Sequence, residues 1–106
     1  MKQGIISLLF LLLVNNGNAQ QQNIIDSLNT IINQQKEDTN KVGALIMLSL
    51  LDAKLDNAIK YLQQGLAISQ SIKYKRGEAR CFLAFANVYG YRGNRTQEIK
   101  YVLYAL

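Results

Sequence analysis

The chain reads as all-α: tandem antiparallel helix pairs stacked as a short α-solenoid, about five helices in all. Three observations carry that reading. Proline is absent from all 106 residues, while Ala, Leu, Ile, Lys and Gln are plentiful, a composition that favours helix throughout. Apolar residues recur at three- and four-residue intervals in most segments. The triplet Ile-Lys-Tyr occurs at 59–61, 72–74 and 99–101, and two of the three copies stand in register. A shift of forty residues lays Ala58-Ile59-Lys60-Tyr61-Leu62 over Glu98-Ile99-Lys100-Tyr101-Val102, with Gly65 over Ala105 and Leu66 over Leu106. A period of that length, filled by two antiparallel helices, is a solenoid signature. The copy at Ile72 falls at a helix exit and has no counterpart.

The elements follow in order. Residues 1–19 have the plan of a secretory signal: a positive start at Lys2, the apolar run Ile5–Val14, and small residues Gly17 and Ala19, with cleavage expected after Ala19. A ten-residue helix spans only ~15 Å, half a bilayer core of ~30 Å, so cleavage is expected rather than anchoring. No cysteine lies near that point to carry a lipid. Export to the periplasm or the extracytoplasmic face of the inner membrane follows. The remaining 87 residues carry a net charge of +4, because Lys2 is lost. A domain of this size buries only about 60–65% of its unfolded surface and is marginal alone.

Residues 20–37 form a leading helix with Ile24, Leu28, Ile31 and Ile32 on one face. The stretch 36–40 interrupts it, with Asp38 or Thr39 able to cap the next helix. The repeats then occupy 38–106, as about 38–72 and an incomplete 77–106. In the first, residues 41–53 are apolar nearly all round, as suits a helix covered on several sides, with Leu45 or Leu48 in the first buried layer. A turn at 54–57 precedes a helix with Ala58, Tyr61, Leu62, Gly65 and Leu66 on one stripe. Lys75-Arg76-Gly77-Glu78 is expected to break the pattern. A helix over 78–91 carries Phe82, Phe85, Ala86 and Tyr89 on its inner stripe. After a turn at 92–94, Asn94 and Gln97 have the spacing of a capping box. The last helix carries Ile99, Tyr101, Val102 and Leu106, and no stop signal follows it.

Little here supports catalysis. There is no histidine, which removes imidazole bases and most zinc sites. Asp52 and Asp56, four apart, are the one acidic pair with possible catalytic spacing; they read better as a solvated helix end and an N-cap. No phosphate-binding glycine loop is present. No enzyme activity, cofactor or metal is expected of this segment. Cys81, the single cysteine, sits in an apolar helical stretch and reads as a buried residue. The cluster Lys73, Lys75, Arg76 and Arg80 reads as cations stabilising a helix C-terminus, and a nucleic-acid partner is not expected of an exported chain.

Residues 79–106 resemble a tetratricopeptide repeat. Phe82 stands where that family has its first large residue, Phe85-Ala86 at its large-small pair and Tyr89 at its aromatic; Gly93-Asn94 match its inter-helix turn and Ala105 its second-helix small residue. The likeness extends back to Ala58, Leu62 and Gly65. It implies a repeat core of Ala58, Tyr61, Leu62, Gly65, Phe82, Phe85, Ala86, Tyr89, Val102 and Ala105. Glu98 departs from the pattern, standing where alanine is usual, so the helices would splay or the carboxylate turn outward. Arg80, Leu83, Asn87 and Tyr91 lie within about 80° of each other on α-helical spacing. The resemblance puts them on the concave groove where a protein or peptide partner docks. The whole arrangement is similar to the exported sensor region of bacterial two-component histidine kinases and related regulators. That implies a non-catalytic sensing or interaction scaffold, with downstream repeats and a membrane span beyond Leu106. The contrasting expectations are a free-standing periplasmic adaptor and an accessory part of an enzyme. The apolar stripe of the last helix would be covered by later residues or, through self-association, by a second copy.

Overall fold

The computed structural model describes residues 19–106, all of whose regular structure is helical. The signal segment expected at 1–19 lies outside the described residues except for Ala19. α1 is helical over 19–32, followed by α2 (Thr39–Leu51), α3 (Leu55–Ser71), α4 (Lys75–Tyr91) and α5 (Arg95–Ala105). Each helix packs on the next in sequence, and α2 also lies against α4. This sequential stacking of helix pairs is a solenoid-like arrangement.

Asp38 starts α2, its Oδ1 accepting from the Lys41 amide at 3.0 Å. Lys41 is itself buried, its Nζ donating to the Gln34 carbonyl at 2.9 Å and meeting Glu37 Oε1 at 3.1 Å. A buried ammonium is tolerable only with such partners, and here it ties down the 33–38 joint that ends α1. The leading helix is thus shorter than the 20–37 expected. Its buried contact is Leu28, packed with Ala44 and Leu48 of α2, while Ile24 is exposed. Leu45 and Leu48 are both buried but face different neighbours: Leu45 joins Leu62 and Phe85 in the main core, and Leu48 receives α1.

The main core runs between α2, α3 and α4, with Leu45, Leu62 and Cys81 fully enclosed beside Val42, Ala58 and Phe85. Ala86 and Gly65 are buried too, and Tyr61, Phe82 and Tyr89 are partly buried against the core. A stack of aromatics joins α4 to α5. The Tyr101 ring lies 4.7 Å from Phe85, 5.7 Å from Tyr89 and 6.3 Å from Phe82, and Tyr104 meets Phe82 edge-on at 5.5 Å. Such pairs add ~0.5–1.5 kcal/mol each beyond their burial.

Helix ends supply the main corrections. α3 and α4 both finish in a Schellman motif. The Tyr74 amide donates to the Ser69 carbonyl and the Lys73 amide to Gln70; the Asn94 amide donates to Tyr89 and the Gly93 amide to Gly90. The residue between is left-handed in each, φ +57 at Lys73 and +79 at Gly93. The break therefore falls at 72–74, and the expected breaker 75–78 is the first turn of α4. Gly77 serves packing: a Cβ there would lie 2.6 Å from Ser69 Oγ and 2.5 Å from Tyr74 Cδ1. Likewise the turn expected at 54–57 occupies 52–54, because Asp52 Oδ1 accepts from the Lys54 amide at 2.9 Å and Leu55 is already helical.

Three further expectations change. Lys75 and Arg76 stand at a helix N-terminus, the unfavourable end for cations; Glu78, 3.3 Å from Lys75, offsets this. Val102 is exposed and Tyr101 takes the inward position, because α5 packs on α4 alone whereas its counterpart α3 is held between α2 and α4. Glu98 turns neither outward nor into a splayed gap. Its carboxylate lies over Gly90, whose missing side chain makes the room. Ala105 is half-buried.

Candidate functional site

α2 and α4 lie side by side, and between their C-terminal ends opens a groove of about 560 Å³. From α2 and the turn after it come Ser49, Leu50, Leu51, Asp52 and Ala53; from α4 come Asn87, Val88, Tyr91 and Arg92. Most of its polar groups are already committed. Ser49 Oγ donates to the Ile46 carbonyl at 2.6 Å. Asp52 Oδ1 is held by the Lys54 amide and Oδ2 by Asn57 Nδ2 at 3.2 Å. The Arg92 guanidinium donates to the Ala53 carbonyl, fastening the end of α4 to the α2–α3 turn. What the groove offers a partner is therefore mostly apolar: Leu50 (53% exposed), Leu51 (36%) and the Tyr91 ring (96%), with Asn87 beside them.

The four residues assigned to the concave face are all exposed on α4. Asn87 and Tyr91 line the groove. Arg80 and Leu83 continue the same stripe toward the N-terminus of the helix, outside the hollow itself. The sequence pattern does not single out the α2 wall. Its apolar surplus reads as burial on several sides, yet Met47, Leu50 and Leu51 face solvent. The forty-residue correspondence, which lays Met47 over Asn87 and Leu51 over Tyr91, was the available signal.

Asp52 and Asp56 stand on either side of the turn before α3, one capping the end of α2 and the other in the first turn of α3. Both carboxylate oxygens of Asp52 are taken up by Lys54 and Asn57. Among the described residues no group of three His, Cys, Asp or Glu side chains could hold a metal ion. Cys81 is enclosed in the main core, and burial pushes its thiol from 9.0 up to about 11, with the neighbouring Ser69 hydroxyl pulling the other way. A thiol so placed is inert as a nucleophile.

A second apolar surface lies on α5. Ile99, Val102, Leu103 and Leu106 follow one stripe on the side away from Tyr101, and all four are exposed. Among the described residues no helix is long and apolar enough to cross a membrane. Comparison with protein-family models, with curated proteins and with solved structures finds no match.

Proposed function

We propose that this chain is a non-catalytic protein-interaction module of the tetratricopeptide kind, exported, and serving as the extracytoplasmic sensing region of a signal-transduction protein. One observation carries the docking role. The α2–α4 groove exposes Leu50, Leu51 and Tyr91 while the Asp52 carboxylate, the Arg92 guanidinium and the Ser49 hydroxyl are bonded within the chain. Uncovered apolar side chains at the rim of a concave hollow mark an interaction site. The groove lies between the first helices of the two pairs, where the tetratricopeptide resemblance puts partner docking. Chemical-shift mapping with peptides bearing a single large apolar residue tests it. The amides of Leu50, Leu51, Asn87 and Tyr91 should shift, and Leu50→Ser or Tyr91→Ala should weaken binding. Shifts confined to α5 would refute the assignment.

A free-standing periplasmic adaptor is the second reading, and the exposed outer stripe of α5 is where the two differ. In the sensor reading that stripe takes a further helix or, in the isolated segment, a second copy of the chain. Sedimentation analysis of residues 20–106 separates the two. Self-association fits a sensor region that continues, and a stable monomer at high concentration fits the adaptor. Export has its own test: protein recovered from the envelope should begin at Gln20, and intact chain retaining Met1 in the membrane fraction would overturn it.

A further inference from the structure

The charge of the chain is divided unevenly between its two halves, and α4 opens the basic half. Of the charged residues within 19–106, residues 73–106 hold seven basic and two acidic, a net of +5; residues 19–72 hold four basic and five acidic, a net of −1. Along α4, Arg76, Arg80, Leu83, Asn87 and Tyr91 share one exposed stripe, within about 80° at helical spacing. Arg76 and Arg80 form no ion pair among the described residues. The only acid of that helix, Glu78, lies on the far side and engages Lys75. Asn40 and Gly43, which the repeat places opposite Arg80 and Leu83 on α2, bring no charge. The other end of the stripe is different. There the exposed surface is apolar, and the groove's one carboxylate and one guanidinium, Asp52 and Arg92, are both held by bonds within the chain.

We infer that the groove takes an acidic polypeptide segment with a defined direction: a large apolar side chain in the hollow beside Leu51 and Tyr91, and carboxylates over Arg76 and Arg80. The inference rests on the groove being the docking site proposed above. It adds the chemistry and the polarity of the occupant. At 1.5 Å per residue, Arg80 stands ~16 Å and Arg76 ~22 Å from Tyr91 along the helix. An extended segment at ~3.3 Å per residue covers that in about five to seven residues. Arginine suits the charged end, since its planar fork meets carboxylates with two parallel hydrogen bonds.

Fluorescence anisotropy with the full chain and three labelled peptides tests this. The first carries Leu and a Glu pair six residues away on a Gly/Ser spacer, the second a Lys pair in place of Glu, the third Ser in place of Leu. The Glu peptide should bind more tightly than the Lys peptide by roughly 2- to 30-fold, the range for two exposed ion pairs. The gap should close at high salt, and R76E/R80E should invert it. Both arginines are exposed, and circular dichroism of the double variant checks that the fold is kept. Equal binding of the Glu and Lys peptides, with the Ser peptide still weaker, would overturn the acidic occupant and leave the groove reading standing. Failure of any peptide to bind through its Leu would remove the groove reading and this inference with it. Binding of anionic vesicles that R76E/R80E abolishes, without peptide discrimination, would assign the two arginines to a lipid surface and overturn the inference.

Discussion

Leu62→Ala probes the core on which every other feature depends. Leu62 has no exposed surface and lies in the cluster of Val42, Leu45, Ala58, Cys81 and Phe85, between α2 and α4. The substitution removes three carbons, worth ~2.4 kcal/mol in transfer from water at ~0.8 kcal/mol each. It also leaves a cavity that close-packed neighbours only partly fill, bringing the total to ~2.7–5 kcal/mol. A domain of this size has about 4–13 kcal/mol of stability to lose. Urea unfolding followed by helical circular dichroism should therefore show a midpoint shifted far downward with an unchanged slope. The exposed Gln63→Ala, one residue along the same helix, serves as the control and should shift it by ~0.5 kcal/mol or less. A loss below ~1 kcal/mol for Leu62→Ala would mean that α3 does not sit between α2 and α4, and the sequential stacking order would be wrong.

Gly43→Ala and Gly77→Ala should have opposite signs. Nothing lies within 4 Å of a Cβ at Gly43, so helix propensity should stabilise by up to ~1 kcal/mol, whereas at Gly77 the clash with Ser69 and Tyr74 should cost ~1–3 kcal/mol; thermal unfolding of both variants decides it. Asn94→Ala removes the bond from the Gln97 amide to Asn94 Oδ1, 3.2 Å, and should lower stability by ~0.5–2 kcal/mol, with amide exchange at Gln97 accelerated. Cys81 links stability to alkaline pH. Its folded value of about 11 lies above the unfolded 9.0, so between those values the unfolded chain holds fewer protons and stability falls as pH rises. The full loss is ~3 kcal/mol, present against a Cys81→Ala reference, and the thiol should resist alkylation at pH 8 until the chain is unfolded.

The helical class and the pairing of helices were legible in the sequence because they rest on local quantities: propensity, apolar spacing and a forty-residue echo. The buried positions Ala58, Leu62, Gly65, Phe85 and Ala86 follow from the same spacing. Half of the capping box was legible too. Asn94 Oδ1 accepts from Gln97, but the Asn94 amide is claimed by the Tyr89 carbonyl, so the return bond does not form and Gln97 Oε1 is left buried without a partner.

What tertiary structure alone decided concerns competition between neighbours. Ile-Lys-Tyr is helical at 59–61 and 99–101 and a Schellman turn at 72–74, the same three residues in two conformations. Local preference does not distinguish them; the packing of Tyr74 and Ser69 around Gly77 does, which is why a lysine accepts a left-handed backbone there. Val102 and Leu62 hold equivalent places in the repeat, yet one is exposed and the other enclosed, because burial depends on how many helices surround a position and sequence spacing carries no count of them. The groove followed the same rule. The sequence shows that α2 is apolar on nearly every side, and only the placement of α1, α3 and α4 determines which of those sides is left open, at Leu50 and Leu51 facing Tyr91.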